Sequence, residues 1–124
     1  MIWARAQKSR SITSDYARKV GESVASGLAE QGILICGSGL GMVIAANKIP
    51  GVRAALAWSE ETARLARQHN DANVLTLGAR TTAAGDIQKI VRAWFNTEFE
   101  GGRHALRVNK ITHLESEPGR ENRR

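Results

Sequence analysis

A single thiol stands where an apolar run meets a glycine-rich turn, in Ile33-Leu34-Ile35-Cys36-Gly37-Ser38-Gly39-Leu40-Gly41. A thiolate there can take a proton or attack a substrate. The backbone N–H groups of such a turn form a concave row that attracts oxyanions, and a helix N-terminus beyond it adds partial positive charge. A plainer reading stays open: a small core thiol in a tight strand–helix turn. The loop is not a Walker loop, because no Gly-Lys-Ser/Thr follows. It is not a dinucleotide fingerprint either, because the spacing is GxGxG rather than GxGxxG.

A second polar group is His69-Asn70-Asp71-Ala72-Asn73. His69 fits a general acid or base, and Asn70 an amide that holds a substrate hydroxyl. The alternative is a helix cap, with the imidazole near a helix C-terminus and Asn as a left-handed stop. The group is expected at the same sheet edge as Cys36. Arg80, Arg103 and Arg107 are the phosphate candidates, since guanidinium groups make planar, charge-assisted contacts with phosphate oxygens. Each is equally readable as a solvated surface residue. Arg103 and Arg107 are four apart and share a helix face beside Gly101-Gly102 and His104. One Cys with His69, His104 and His113 shows no recognised ligand spacing, so no metal and no cofactor is expected.

The elements that must position these groups read as an alternation. Ser14 is a candidate helix cap, followed by an apolar stripe of Tyr16, Val20, Val24 and Leu28, with a stop before Gly32. Ile33 to Cys36 lacks polar alternation, as does a strand buried on both faces. A short helix over Met42 to Lys48 ends at Pro50-Gly51. Val52 to Trp58 predicts a strand. Ser59 caps a helix with Thr62, Leu65, Ala66 and His69 on one face. Val74 to Gly78 is a further strand. Thr81 or Thr82 opens a helix whose face is Ile87, Ile90, Val91, Trp94 and Phe95. A last helix runs from Arg103 to about Thr112. This order predicts an α/β fold with a parallel sheet and ligands at the carboxyl ends of its strands.

The totals narrow the function. The 124 residues suit one domain, with residues 1–13 irregular, 14–113 folded and 114–124 a disordered tail. No apolar run approaches the roughly 18 residues of a membrane span, and Met1 to Arg5 lacks the apolar core of a signal peptide. One cysteine fits a reducing, cytoplasmic setting. The net charge of +6 is scattered and not interleaved with aromatic residues, so nucleic acid is not the expected partner. A small anionic substrate accounts for local positive charge.

Taken together, these segments resemble the type B ribose-5-phosphate isomerases and the related galactose-6-phosphate isomerase subunits. The matching stretches are Ser14-Asp15-Tyr16-Ala17, Gly32 to Gly41, Ile44-Ala45-Ala46-Asn47-Lys48 and Arg53-Ala54-Ala55. They continue with Ala63-Arg64-Leu65, His69 to Leu75, Leu77-Gly78-Ala79-Arg80 and Phe99-Glu100-Gly101-Gly102-Arg103-His104. The resemblance implies a Rossmann-like three-layer sandwich. It implies that Cys36 moves a proton between C1 and C2 of the open sugar. Ser38 and the N–H groups of Gly37, Gly39, Leu40 and Gly41 stabilise the enediolate, and Asn70 holds its oxygens. His69 is the acid that opens the furanose ring, and Arg80, Arg103 and Arg107 bind phosphate or substrate. The family works without metal, as dimers or tetramers with sites shared between subunits. Its members begin with a strand ending in Gly-Ser-Asp-His-Ala-Gly and a helix, and neither is found here. The Asp and His of that motif help open the ring, so reduced competence and exposed apolar surface are expected. Trp58 stands where a smaller or polar residue is common. The leading expectation is interconversion of ribose 5-phosphate and ribulose 5-phosphate. The alternatives are a hexose-6-phosphate isomerase subunit of the galactose 6-phosphate type and a non-catalytic paralogue that binds a sugar phosphate.

Overall fold

The computed structural model describes residues 2–5 and 13–117. Its sheet has four parallel strands, β1 (Ile2–Arg5), β2 (Gly32–Cys36), β3 (Ala54–Leu56) and β4 (Val74–Gly78), in the spatial order β1-β2-β4-β3. Helices α1 (Thr13–Ala25), α2 (Leu40–Ala46), α3 (Glu60–Asn70), α4 (Ala84–Phe95) and α5 (Arg103–His113) connect and follow the strands, and a 3-10 turn spans Leu114–Ser116. β2 and β4 are central, and their residues alternate between two cores. Leu34 and Val74 pack with Ala17, Val20, Val24, Met42 and Ala46 from α1 and α2. Ile33, Leu75 and Leu77 pack with Ala63, Ala66, Ile90 and Trp94 from α3 and α4. The result is the expected three-layer α/β sandwich, with each face of the central strands dry.

Several local expectations change. The N-terminal segment expected to be irregular contains β1, which pairs with β2 from Ile2 opposite Gly32 to Arg5 opposite Ile35. Four residues are too few to show a period, and the pairing is tertiary. Thr13 opens α1, while residues 1 and 6–12 of that segment, and residues 118–124 of the expected tail, lie outside the described residues. In the tail's described part, Leu114–Ser116 is ordered as the 3-10 turn. Ser14 lies inside α1 rather than capping it. The stop of α1 is Gly27 at φ 82, so Leu28 falls beyond the helix and is 82% exposed. Neither Thr81 nor Thr82 opens α4, whose N-cap is Ala83. Thr81 instead turns its hydroxyl back to the Gly78 carbonyl at 3.5 Å. The buried face of α3 is Ala63, Ala66 and Arg67, a rotation from the expected stripe. Phe95 is exposed while Trp94 is fully buried. Ser59 does cap α3: its hydroxyl accepts from the Thr62 N–H at 3.1 Å, and Thr62 returns the bond to the Ser59 N–H.

Candidate active site

Cys36 is the last residue of β2 and sits opposite Gly78, the last residue of β4. The turn after it is held by backbone bonds to the turn after β4. The Ala79 N–H donates to the Cys36 carbonyl at 2.7 Å, and the Arg80 N–H to the Gly37 carbonyl at 2.9 Å. The Gly39 N–H donates to the Cys36 sulfur at 3.1 Å, and the Leu40 N–H to the Ser38 hydroxyl at 3.3 Å. Gly39 takes φ 80, and a Cβ there would lie 2.6 Å from Leu56 Cδ1 and 3.1 Å from the Leu77 carbonyl carbon. Only glycine fits that corner. A Cβ on Gly37 would lie 3.5 Å from Arg80 Cδ and 3.7 Å from its Nε, so the Arg80 side chain lies alongside the thiol loop. Cys36, Ser38, Gly37, Gly39, Leu40, Gly41 and Arg80 therefore form one constellation at the carboxyl edge of the sheet.

His69 does not join them, which corrects the expectation of a shared edge. The helix α3 returns from the end of β3 to the start of the parallel β4, so its C-terminus lies at the amino edge. Four strand steps from Val74 to Gly78, at roughly 3.3 Å each, separate the two edges by about 13 Å. The left-handed stop of α3 is Asp71 at φ 45, not an asparagine. Arg53 and Arg67 both pair with the Asp71 carboxylate, at 3.4 and 3.1 Å. Asn73 accepts from the Arg53 N–H at 2.7 Å and donates to the Gly51 carbonyl at 2.9 Å. Three members of the polar run thus split into roles. Asp71 and Asn73 hold the chain, while Asn70 lines a cavity of about 390 Å³ beside Asn47 and Arg53.

At this amino edge His69 meets two residues that the sequence did not mark as functional. Its ring stacks on His104 with centroids 4.2 Å apart and planes 9° from parallel. A Glu100 carboxylate oxygen lies 3.6 Å from His69 Nε2 and 3.5 Å from His104 Nε2. His104 is buried on the first turn of α5, and its protonation is pushed below the ordinary imidazole range. Burial is the main cause, followed by the charges of His69 and Arg103. Glu100 opposes them, and Arg107 adds a smaller depression. Arg103 and Arg107, exposed on α5, thus belong to the His69 constellation and not to that of Cys36. The three ligand-type atoms of His69, Glu100 and His104 lie within 4.8 Å of one another.

A parallel three-layer domain that presents a half-buried thiol at a strand's carboxyl end has the architecture of a Rossmann-like enzyme. The family model described as Ribose/Galactose Isomerase matches residues 4–111, and the chain belongs to that family. The ribose-5-phosphate isomerase B of Escherichia coli (strain K12) is 48% identical over 100 residues, which cover 81% of this chain and 67% of that protein. The D-erythrulose-4-phosphate isomerase of Pectobacterium atrosepticum is 41% identical over 104 residues, covering 84% of this chain and 68% of that one. The solved structure of Clostridium thermocellum ribose-5-phosphate isomerase B superimposes with a TM-score of 0.84 at 49% identity, over 86% of this chain and 72% of that chain. The match thus spans about two thirds of the length of the curated relatives. Among the described residues, no helix is long and apolar enough to cross a membrane.

Proposed function

We propose that this chain is the subunit of a sugar-phosphate isomerase that interconverts ribose 5-phosphate and ribulose 5-phosphate through an enediolate. The observation that carries this reading is the Cys36 sulfur under the Gly39 N–H, at the mouth of a loop fixed against β4. The reaction begins with the cyclic aldose. His69 gives a proton to the ring oxygen O4, the C1–O4 pair returns to that oxygen, and the O1 proton leaves to water. The Cys36 thiolate then takes the C2 proton, and the C2–H pair becomes the C1=C2 bond. The Ser38 hydroxyl and the loop N–H groups stabilise the negative oxygen, as does Asn70. A proton passes from O2 to O1, Cys36 returns its proton to C1, and the ketose forms. The phosphate is held by Arg80, Arg103 and Arg107.

The two proton transfers act on atoms a few bonds apart on one sugar, whereas Cys36 and His69 of one chain lie at opposite sheet edges. Each complete site therefore takes the thiol from one copy and the imidazole from another, and the working unit is a homodimer or a dimer of dimers. Leu40 and Ile44 support this reading. They are 54% and 62% exposed, four residues apart on α2, and begin at the thiol loop itself. A single cysteine is consistent with work in a reducing cytoplasm.

Subunit mixing tests the proposal. Cys36→Ala and His69→Asn homomers are each expected to be inactive. After mixed refolding, half the dimers are hybrids with one intact site, so about a quarter of native turnover returns. No recovery, with hybrid formation shown by native mass spectrometry, refutes shared sites. The sugar chain length is read by assaying four-, five- and six-carbon phosphates in parallel, with the five-carbon pair expected to be fastest.

A further inference from the structure

The His69–Glu100–His104 cluster brings two imidazoles and one carboxylate together at the amino edge of the sheet. Resting on the isomerase reading above, we infer that Glu100 is a positioning residue for ring opening: it holds Nε2–H of His69 and so presents Nδ1–H to the sugar ring oxygen.

Three observations support this. First, the carboxylate faces Nε2 of His69 at 3.6 Å. A carboxylate at one ring nitrogen keeps a proton there and leaves the other nitrogen to exchange its proton, as in any carboxylate-oriented imidazole. The contact is long for a hydrogen bond, and such contacts tighten when substrate closes the site. Second, the carboxylate is anchored to the helix that carries the acid. The Glu100 N–H donates to the Gln68 carbonyl at 3.1 Å, beside His69 itself, so segment and imidazole move together. Third, the ring plane is set from the other side. His104 lies 4.2 Å from the His69 ring, with its own side chain only 7% exposed, and acts as a fixed floor. With floor and carboxylate in place, the His69 ring has one favoured orientation, although its side chain is 40% exposed. The proton balance is simple. His69 enters as the imidazolium with a proton on each ring nitrogen: Nδ1–H passes to O4 as the C1–O4 bond breaks and O1–H gives its proton to water, the other proton stays on Nε2 facing Glu100, and solvent returns a proton to Nδ1.

The experiment separates ring opening from proton abstraction. Ribose 5-phosphate is a furanose and must be opened. In ribulose 5-phosphate the C5 oxygen carries the phosphate, so no furanose can close, and exchange of a C1 hydrogen with solvent needs the Cys36 base but no ring-opening acid. Glu100→Gln should lower kcat/KM for ribose 5-phosphate about tenfold. It should leave deuterium uptake at C1 of ribulose 5-phosphate within about twofold of native. Glu100→Asp, which keeps the carboxylate, should retain more ribose 5-phosphate turnover than Glu100→Gln. An equal fall in both reactions would show general damage and overturn the assignment, as would no change in either, or equal behaviour of the Asp and Gln variants. If the native protein neither converts ribose 5-phosphate nor exchanges ribulose 5-phosphate, the isomerase reading itself fails, which is a separate result.

Discussion

The two ends of the sheet hold their chemistry in different ways. At the carboxyl edge the thiol is set by backbone: Cys36 ends a buried strand, and the Gly39 N–H closes on its sulfur at 3.1 Å within one contiguous turn. At the amino edge the imidazole is set by side chains from two distant segments, Glu100 and His104 against His69. A backbone-built site tolerates little added volume and holds its geometry by steric necessity. A side-chain-built site tolerates substitution of its members but depends on their charges. The proposed base and the proposed acid are thus under different physical control.

The sharpest break of this contrast is Cys36→Ala, which removes the one group that the backbone at the carboxyl edge exists to place. Turnover of ribose 5-phosphate and C1 exchange of ribulose 5-phosphate should both fall by about a thousandfold, with far-UV circular dichroism unchanged. Retention of exchange would mean that another group is the base. Next comes Gly39→Ala. A residue forced to φ 80 with its Cβ 3.1 Å from the Leu77 backbone should lower stability. The cost is about 2–3 kcal/mol, measured by urea titration. A neutral result would show that the loop has room, and the carboxyl edge would no longer count as sterically fixed.

Ser59→Ala tests the helix that carries His69 from its far end. It removes a capping hydroxyl that bonds the Thr62 N–H, at a cost of about 1 kcal/mol. Because the imidazole is oriented locally by Glu100 and His104, kcat should barely change. A large loss of activity at full folding would mean that helix position, and not those contacts, sets His69.

The smallest effect is a change in slope with pH. Burial lowers the proton affinity of His104 in the folded chain, so the unfolded chain binds the proton more readily. Its contribution to stability is present above about pH 6.5 and fades as pH falls through the lower folded value. Thermal melts taken stepwise from about pH 8 to about pH 5 should decline, and His104→Asn should flatten that decline. Equal slopes for both proteins would contradict a buried neutral imidazole.

How much of this the sequence discloses follows the same division. The thiol loop is contiguous, so Ile33 to Gly41 displays strand, turn and helix start in order, and α3 announces itself through Ser59. The parallel sheet and its three layers follow from the βα alternation, whereas the strand order β1-β2-β4-β3 does not. The opposite placement of His69 also follows from parallel strands, once α3 is traced back to the start of β4, yet residue types alone suggested a shared edge. Glu100 carries no local signal, because it lies between helices and its role arises from Gln68 and two imidazoles. β1 is too short for periodicity and is defined by its pairing with β2. Leu28 matched the α1 stripe, but Gly27 had already ended the helix.

Arg67 gives the His69 corner an attachment of its own. Its guanidinium lies 5.5 Å from the Trp94 ring centre, pairs with Asp71, and donates to the carbonyls of Ala72 and Thr97. It therefore rivets the end of α3 to the end of α4. Loosening that rivet releases the imidazole while the sheet stays assembled. In an Arg67→Met protein, heat should abolish catalysis at a temperature where the chain is still folded, so inactivation and melting become two separate events.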